Sequence, residues 1–105
     1  MAEVRIAPKA REDLKEIYEY ISIELQNPQA AEDILTQLRS RIAGLSSFPQ
    51  RGKPLAGVIS FPSAYRYMIS VSYNIFYRVE EEFVSIIRVL NHRQNMLQIL
   101  FDTER

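Results

Sequence analysis

The chain has no cysteine, one histidine and three glycines in 105 residues. Without thiols there is neither a disulfide framework nor a thiolate metal site, and a reducing, cytoplasmic setting is expected. One histidine and scattered carboxylates leave no metal constellation, so neither a metal nor another cofactor is expected. Gly44, Gly52 and Gly57 match neither a dinucleotide-binding fingerprint nor a P-loop. No Ser-His-Asp arrangement follows from the spacing. Residues 1–6 lack the apolar segment of a signal peptide. No apolar run approaches the ~20 residues that span a bilayer, so no membrane association is expected. The length fits one domain, 1–105.

Acid is missing from the middle of the chain. Residues 39–79 hold Arg39, Arg41, Arg51, Lys53, Arg66 and Arg78 and no Asp or Glu, although the formal net charge of the whole chain is zero. Residues 1–38 carry four basic and eight acidic side chains instead. The middle third is either a local basic surface or a set of charges scattered over a solvated face.

What is present reads as a run of elements. Residues 3–7 alternate polar and apolar, a short strand that Pro8 ends. Ala10, Leu14, Ile17, Tyr18, Ile21 and Leu25 then recur at helical spacing, with Arg11, Glu12, Asp13, Lys15, Glu16 and Glu19 between them. Asn27-Pro28 is a helix start, with Asn as N-cap and Pro at the first helical position. Ala31, Ile34, Leu35, Leu38, Ile42 and Leu45 form the second stripe, closed by Phe48-Pro49. So short a connection folds the helices into an antiparallel hairpin. Residues 49–64 are a Pro- and Gly-rich ordered connector whose Leu55, Val58, Ile59 and Phe61 need cover, and Gly52 supplies a turn between Arg51 and Lys53. Residues 65–70, 73–79 and 83–90 are β-prone and separated by short polar breaks, an antiparallel meander. Residues 94–101 are a C-terminal helix.

The fold class is therefore α+β, ordered β-α-α-β-β-β with a short helical tail, the helical hairpin lying on one face of a small antiparallel sheet. The first strand joins at an edge or beside the last strand. The other face is expected to be open. Side-chain alternation places Arg78, Arg88 and His92 there, with Arg66 able to join them. Arg88, set among apolar residues, is either a functional cation or one that snorkels or pairs with an acid. His92 is either a surface residue or a proton carrier. Arg51 and Lys53 are either solvated loop charges or ligand contacts, and Asn74 can simply satisfy its own backbone.

Several segments resemble the RelE/ParE superfamily of bacterial type II toxins. Residues 7–21, Ala-Pro-Lys-Ala-Arg-Glu-Asp-Leu-Lys-Glu-Ile-Tyr-Glu-Tyr-Ile, are similar to the family's first helix. Phe48-Pro49-Gln50-Arg51-Gly52-Lys53-Pro54-Leu55 resembles its Pro-x-x-Gly connector. Tyr73-Asn74-Ile75-Phe76-Tyr77-Arg78-Val79 and Ile87-Arg88-Val89-Leu90-Asn91-His92-Arg93-Gln94 carry the resemblance furthest. It implies a toxin held inactive by a cognate antitoxin in a hetero-oligomer. RelE-like members cleave mRNA on the ribosome without a metal, using the neighbouring 2′-OH as nucleophile. ParE-like members poison DNA gyrase instead. Nuclease members usually carry an arginine where this chain has Asn74. Arg88-Val89-Leu90-Asn91-His92-Arg93 is closer to the ParE side, so gyrase is the expected target. In the alternative, His92 would carry the proton, Arg88 and Arg66 would hold phosphate, and Arg51 and Lys53 would position RNA. Asn74, Arg78 and Arg93 are further candidate contacts to target or RNA. A member that only binds its antitoxin is a third alternative.

Overall fold

A computed structural model describes residues 1–57, 63–92 and 96–104. The first strand, β1 (Glu3–Ile6), is followed by α1 (Pro8–Glu19) and α2 (Pro28–Gly44). A two-residue strand, β2 (Lys53–Pro54), and a 3-10 turn (Leu55–Gly57) follow. The meander is β3 (Tyr65–Ser70), β4 (Tyr73–Val79) and β5 (Phe83–Asn91), and the chain closes with α3 (Met96–Glu104). The spatial order of the sheet is β1-β5-β4-β3-β2. β3, β4 and β5 pair antiparallel, and β1 lies at the edge beside β5 and parallel to it, so the sheet is mixed. The helical hairpin connecting β1 to the rest of the sheet is what allows that parallel pairing.

The helices form for local reasons. Pro8 opens α1, where its missing N–H has no intrahelical partner to lose. At the C-terminal end the backbone widens into a π turn over Tyr20–Glu24, with Leu25 N–H donating to Tyr20 O. Asn27 caps α2: its Oδ1 accepts the Ala30 N–H at 3.1 Å. Along α2, Ala31, Leu35, Leu38, Ile42 and Leu45 are buried as the spacing predicts, with Ile34 half-buried. Along α1 the stripe differs. Tyr18 and Leu25 face outward, and Asp13, placed by periodicity on the polar side, is buried with Ala10, Leu14, Ile17 and Ile21.

Both helices pack on one sheet face, against Met68, Tyr73, Ile75, Tyr77, Val84, Ile86 and Val89. Each fully buried aliphatic side chain here contributes about 1.5–3 kcal/mol relative to exposure. In β4 the alternation is as expected, with Tyr73, Ile75, Tyr77 and Val79 toward the helices. In β5 it breaks. Tyr77 pairs with Ile86 and Phe76 with Arg88, so Ile87 is an extra residue in a β-bulge. Val84 and Ile86 before the bulge and Val89 after it all reach the helix-side core, which strict alternation forbids.

The opposite face is not open. α3 covers it: Leu100 is fully buried against Leu55, Tyr65, Phe76 and Leu90, with Met96, Ile99 and Phe101 at the margin. Phe76, Leu90 and Ile87 make this face apolar, so it requires cover rather than presenting a basic platform.

Gly52 stands at a bend between exposed Arg51 and Lys53, and no glycine has a positive φ, so left-handed freedom is not what the position needs. Its role is close approach: its N–H donates to Tyr77 Oη at 2.8 Å, and a Cβ there would lie 2.6 Å from both Tyr67 O and Tyr77 Oη. Val58, Ile59 and Phe61, expected to need cover, fall outside the described residues. Gly52→Ala is expected to cost about 1–3 kcal/mol in urea unfolding, the range for forcing atoms into a filled site. Gly57→Ala, whose Cβ meets nothing within 4 Å, should change stability by no more than about 0.5 kcal/mol.

Candidate functional site

Three separate places hold the candidate residues. The first lies at the end of the sheet where β4 begins and β5 finishes. Asn74 is only 4 % exposed and pairs across the sheet with Leu90. Its Nδ2 donates to His92 Nδ1 at 2.8 Å and to Met96 Sδ at 2.9 Å. With Nδ1 accepting, the proton of the neutral imidazole sits on Nε2. His92 itself is exposed, and its backbone N–H donates to Ser72 O at 3.1 Å. The arrangement offers one outward N–H donor beside a buried amide. Arg93 lies outside the described residues.

The second place is the outer side of β5. β1 ends opposite Ile86, so β5 beyond that point has no strand on its outer side. Asp13 of α1 fills the gap. Its Oδ2 accepts the Val89 N–H at 2.9 Å, and its two oxygens take Arg88 Nε at 2.7 Å and Nη2 at 2.8 Å. The two side chains are 15 % and 7 % exposed. The Asp13 hydrogen bond pushes the Arg88 pKa upward, against the opposing effect of burial, with the Asp13, Glu16 and Glu12 charges adding to the rise. A raised cationic pKa contributes stability that is complete below the ordinary arginine value and is lost only as pH climbs through the folded value. The arginine half of the pair is therefore insensitive to pH across the neutral range. Arg88 is committed to Asp13, the acid-paired reading, and is not brought to His92.

The third place is the far edge of the sheet. Arg51 and Lys53 are exposed on either side of Gly52. Arg66 reaches back from β3, its Nη2 donating to Gln50 O at 3.0 Å and to Gly52 O. Arg66 pairs with Tyr77, a residue of the helix-side face, so it does not join Arg78 on the other face. β2 and β5 are separated by β3 and β4, which at about 4.8 Å per strand puts Lys53 roughly 14 Å from the last strand. Arg78 stands four residues along β4 from Asn74, so about 13 Å away. Its Nε is 3.4 Å from Glu80 Oε1 and its Cζ 5.7 Å from the Tyr65 ring centroid.

Among the described residues, the cations expected around the histidine are thus dispersed. Among the described residues no three His, Cys, Asp or Glu side chains are placed to hold a metal ion, and no helix is long and apolar enough to cross a membrane. A further feature escaped the sequence reading. A cavity of about 750 Å³ runs between α1 and α2, with Leu14, Tyr18, Glu32, Leu35 and Arg39 among its walls.

The described residues thus form an α+β fold with a helical hairpin on a mixed sheet and dispersed cations. Comparison gives the family. The model of the ParE toxin of type II toxin–antitoxin systems, parDE, matches residues 4–96, and the chain belongs to that family. Ten solved chains match significantly. One, described as a chromosomal ParDE toxin–antitoxin system from P. aeruginosa, superposes with a TM-score of 0.71 at 19 % identity. It covers 87 % of this chain and 96 % of its own, a likeness of fold. No curated protein matches the chain at a significant level.

Asp13→Ala would leave Arg88 buried without its acid and should cost about 3–5 kcal/mol in urea unfolding. Asp13→Leu combined with Arg88→Met removes both charges and should recover most of that loss. A residue of about 1–3 kcal/mol should persist, because the Val89 N–H still lacks an acceptor.

Proposed function

We propose that this member of the ParE toxin family acts by binding DNA gyrase in the cytoplasm, and that a cognate antitoxin neutralises it in a hetero-oligomer. The observation that carries this reading is the state of Asn74. A nuclease of the superfamily is expected to place an arginine there to hold the scissile phosphate. Here the position is a buried amide whose donor is used on His92 and Met96. Metal-independent cleavage through the 2′-OH requires cations around the phosphate to stabilise the added negative charge. Arg88 is held by Asp13, while Arg78 lies beside Glu80 and Tyr65 at the other end of β4. Both arrangements favour an interaction protein over an RNA-cleaving enzyme. The α1–α2 cavity, with exposed Tyr18 at its wall, supports a partner seated on the helical hairpin.

The test begins with induction from a tightly controlled promoter, which should arrest growth, with the product of the adjacent gene restoring it. Purified protein should inhibit gyrase supercoiling and leave mRNA on programmed ribosomes intact. His92→Ala should retain gyrase inhibition to within about twofold, a change of less than 1 kcal/mol. Cleavage of ribosome-bound mRNA that His92→Ala abolishes would overturn the proposal.

A further inference from the structure

One end of the molecule gathers three departures from regular backbone. α1 runs into the π turn at Tyr20–Glu24, Gln26 has φ 51°, and Val71 in the turn between β3 and β4 has φ 56°. Ser70 pairs with Tyr73, so Val71 and Ser72 are the loop residues of that hairpin. Positive φ at the first loop residue alone is the geometry in which glycine is usual. It drives the valine Cβ toward the following carbonyl oxygen, and a β-branched side chain tolerates this least. Burial within the chain does not offset the strain, because Val71 is 53 % exposed. The turn is fixed instead through its backbone, the His92 N–H donating to Ser72 O at 3.1 Å. A strained side chain that the fold does not use points to a use outside it.

Its surroundings are apolar and open. Val71 lines a cavity of about 470 Å³ with Tyr20, Leu25, Ile34, Tyr73 and Asn91. A second cavity, of about 360 Å³, shares Tyr20, Tyr73 and Asn91 with the first and extends to Glu16. Tyr20, Ile23, Leu25 and Val71 are each more than half exposed. Among the described residues, no lysine or arginine lines either cavity. Of the two acids in the second, Asp13 is held by Arg88 and Glu16 is exposed, and Glu24 is exposed on the π turn. Neither cavity shares a lining residue with the groove between α1 and α2.

We propose that this surface, centred on Tyr20 and Val71, is where the toxin meets its target protein, and that it takes a large apolar side chain flanked by lysine or arginine. This rests on the reading of the chain as a toxin that acts by contact, and names the surface and the chemistry it selects. The hairpin groove is the proposed seat of one partner, and a chain with both an antitoxin and a target uses a second surface. A nucleic acid would meet Glu16 and Glu24 with its phosphates and find no cation in either cavity. A second copy of this chain would bring Glu16 and Glu24 against their own counterparts. An apolar residue entering between Tyr20 and Val71, with a cation beside it, answers both the exposed apolar area and the acidic rim.

The probe is a fluorescein-labelled synthetic peptide of alternating leucine and lysine, titrated onto the intact chain. Binding is read by anisotropy, and its location by amide hydrogen exchange. Protection should appear at residues 20–25 and 71–72. The same peptide with glutamate in place of lysine should bind about tenfold more weakly, because the rim then repels it. Val71→Gly removes the strained side chain, so the urea midpoint should hold or rise while the leucine–lysine peptide binds about fivefold more weakly. Tyr20→Ser, at an exposed position, should weaken it about tenfold without loss of stability. Gyrase should displace the peptide. A Val71→Gly chain with a lower urea midpoint and unchanged peptide affinity would make the valine structural and overturn the proposal. Equal binding of the glutamate peptide, protection confined to the α1–α2 groove, or a dimer of the chain that the peptide fails to dissociate would do the same. So would gyrase that binds the chain and leaves the peptide in place. A chain that holds the peptide at residues 20–25 and 71–72 and does not bind gyrase would uphold the surface and overturn the gyrase reading alone.

Discussion

The clamp of Asp13 on Arg88 and the Val89 N–H joins the two halves of this fold. β1 stops at Ile6, opposite Ile86, and beyond that point the outer side of β5 would otherwise run on with an unsatisfied edge. A carboxylate from α1 supplies the missing acceptor and takes the adjacent guanidinium with the same two oxygens. A buried N–H without a partner costs about 1–3 kcal/mol, and a buried guanidinium without one costs more. The clamp thus sets where α1 sits along β5 and, through the hairpin, how α2 closes over the sheet. It also removes Arg88 from the inventory of cations available for chemistry.

That removal has a functional consequence. In this chain three of the groups a phosphodiester-cleaving site was expected to use are engaged within the structure. Arg88 holds a helix, Arg66 holds the connector through Gln50 O and Gly52 O, and Asn74 holds the histidine and the start of α3. The face on which they were expected to meet is filled by Leu100 and its neighbours. The surfaces left for recognition are the groove of the helical hairpin and the apolar surface around Tyr20 and Val71. Both suit protein partners, as the proposed action by contact requires.

Much of this was legible in the residues. The strand boundaries of the meander follow its polar breaks, and the Asn27-Pro28 cap marks the start of α2 by its own chemistry. Three features were not. The bulge at Ile87 leaves no trace in composition, because apolar residues occupy both parities around it, yet it inverts the faces of half a strand. Asp13 looks like any acid on a polar helix face, and its burial depends on where β1 ends, a tertiary fact. α3 showed an apolar stripe of its own with no face assigned to it. Phe76, Leu90 and Tyr65 on one parity were the available signal that this stripe had a place to go. The cationic candidates illustrate the same limit. Charge along the chain reports local excess, but whether cations converge depends on strand order, and here two strands separate them.

The central claim is that this toxin works by binding and not by cutting RNA. Mapping transcript 5′ ends in cells after induction tests it most directly. The account predicts growth arrest without new ends at codon boundaries. Ends that accumulate at codon boundaries after induction, and vanish with His92→Ala, would contradict it.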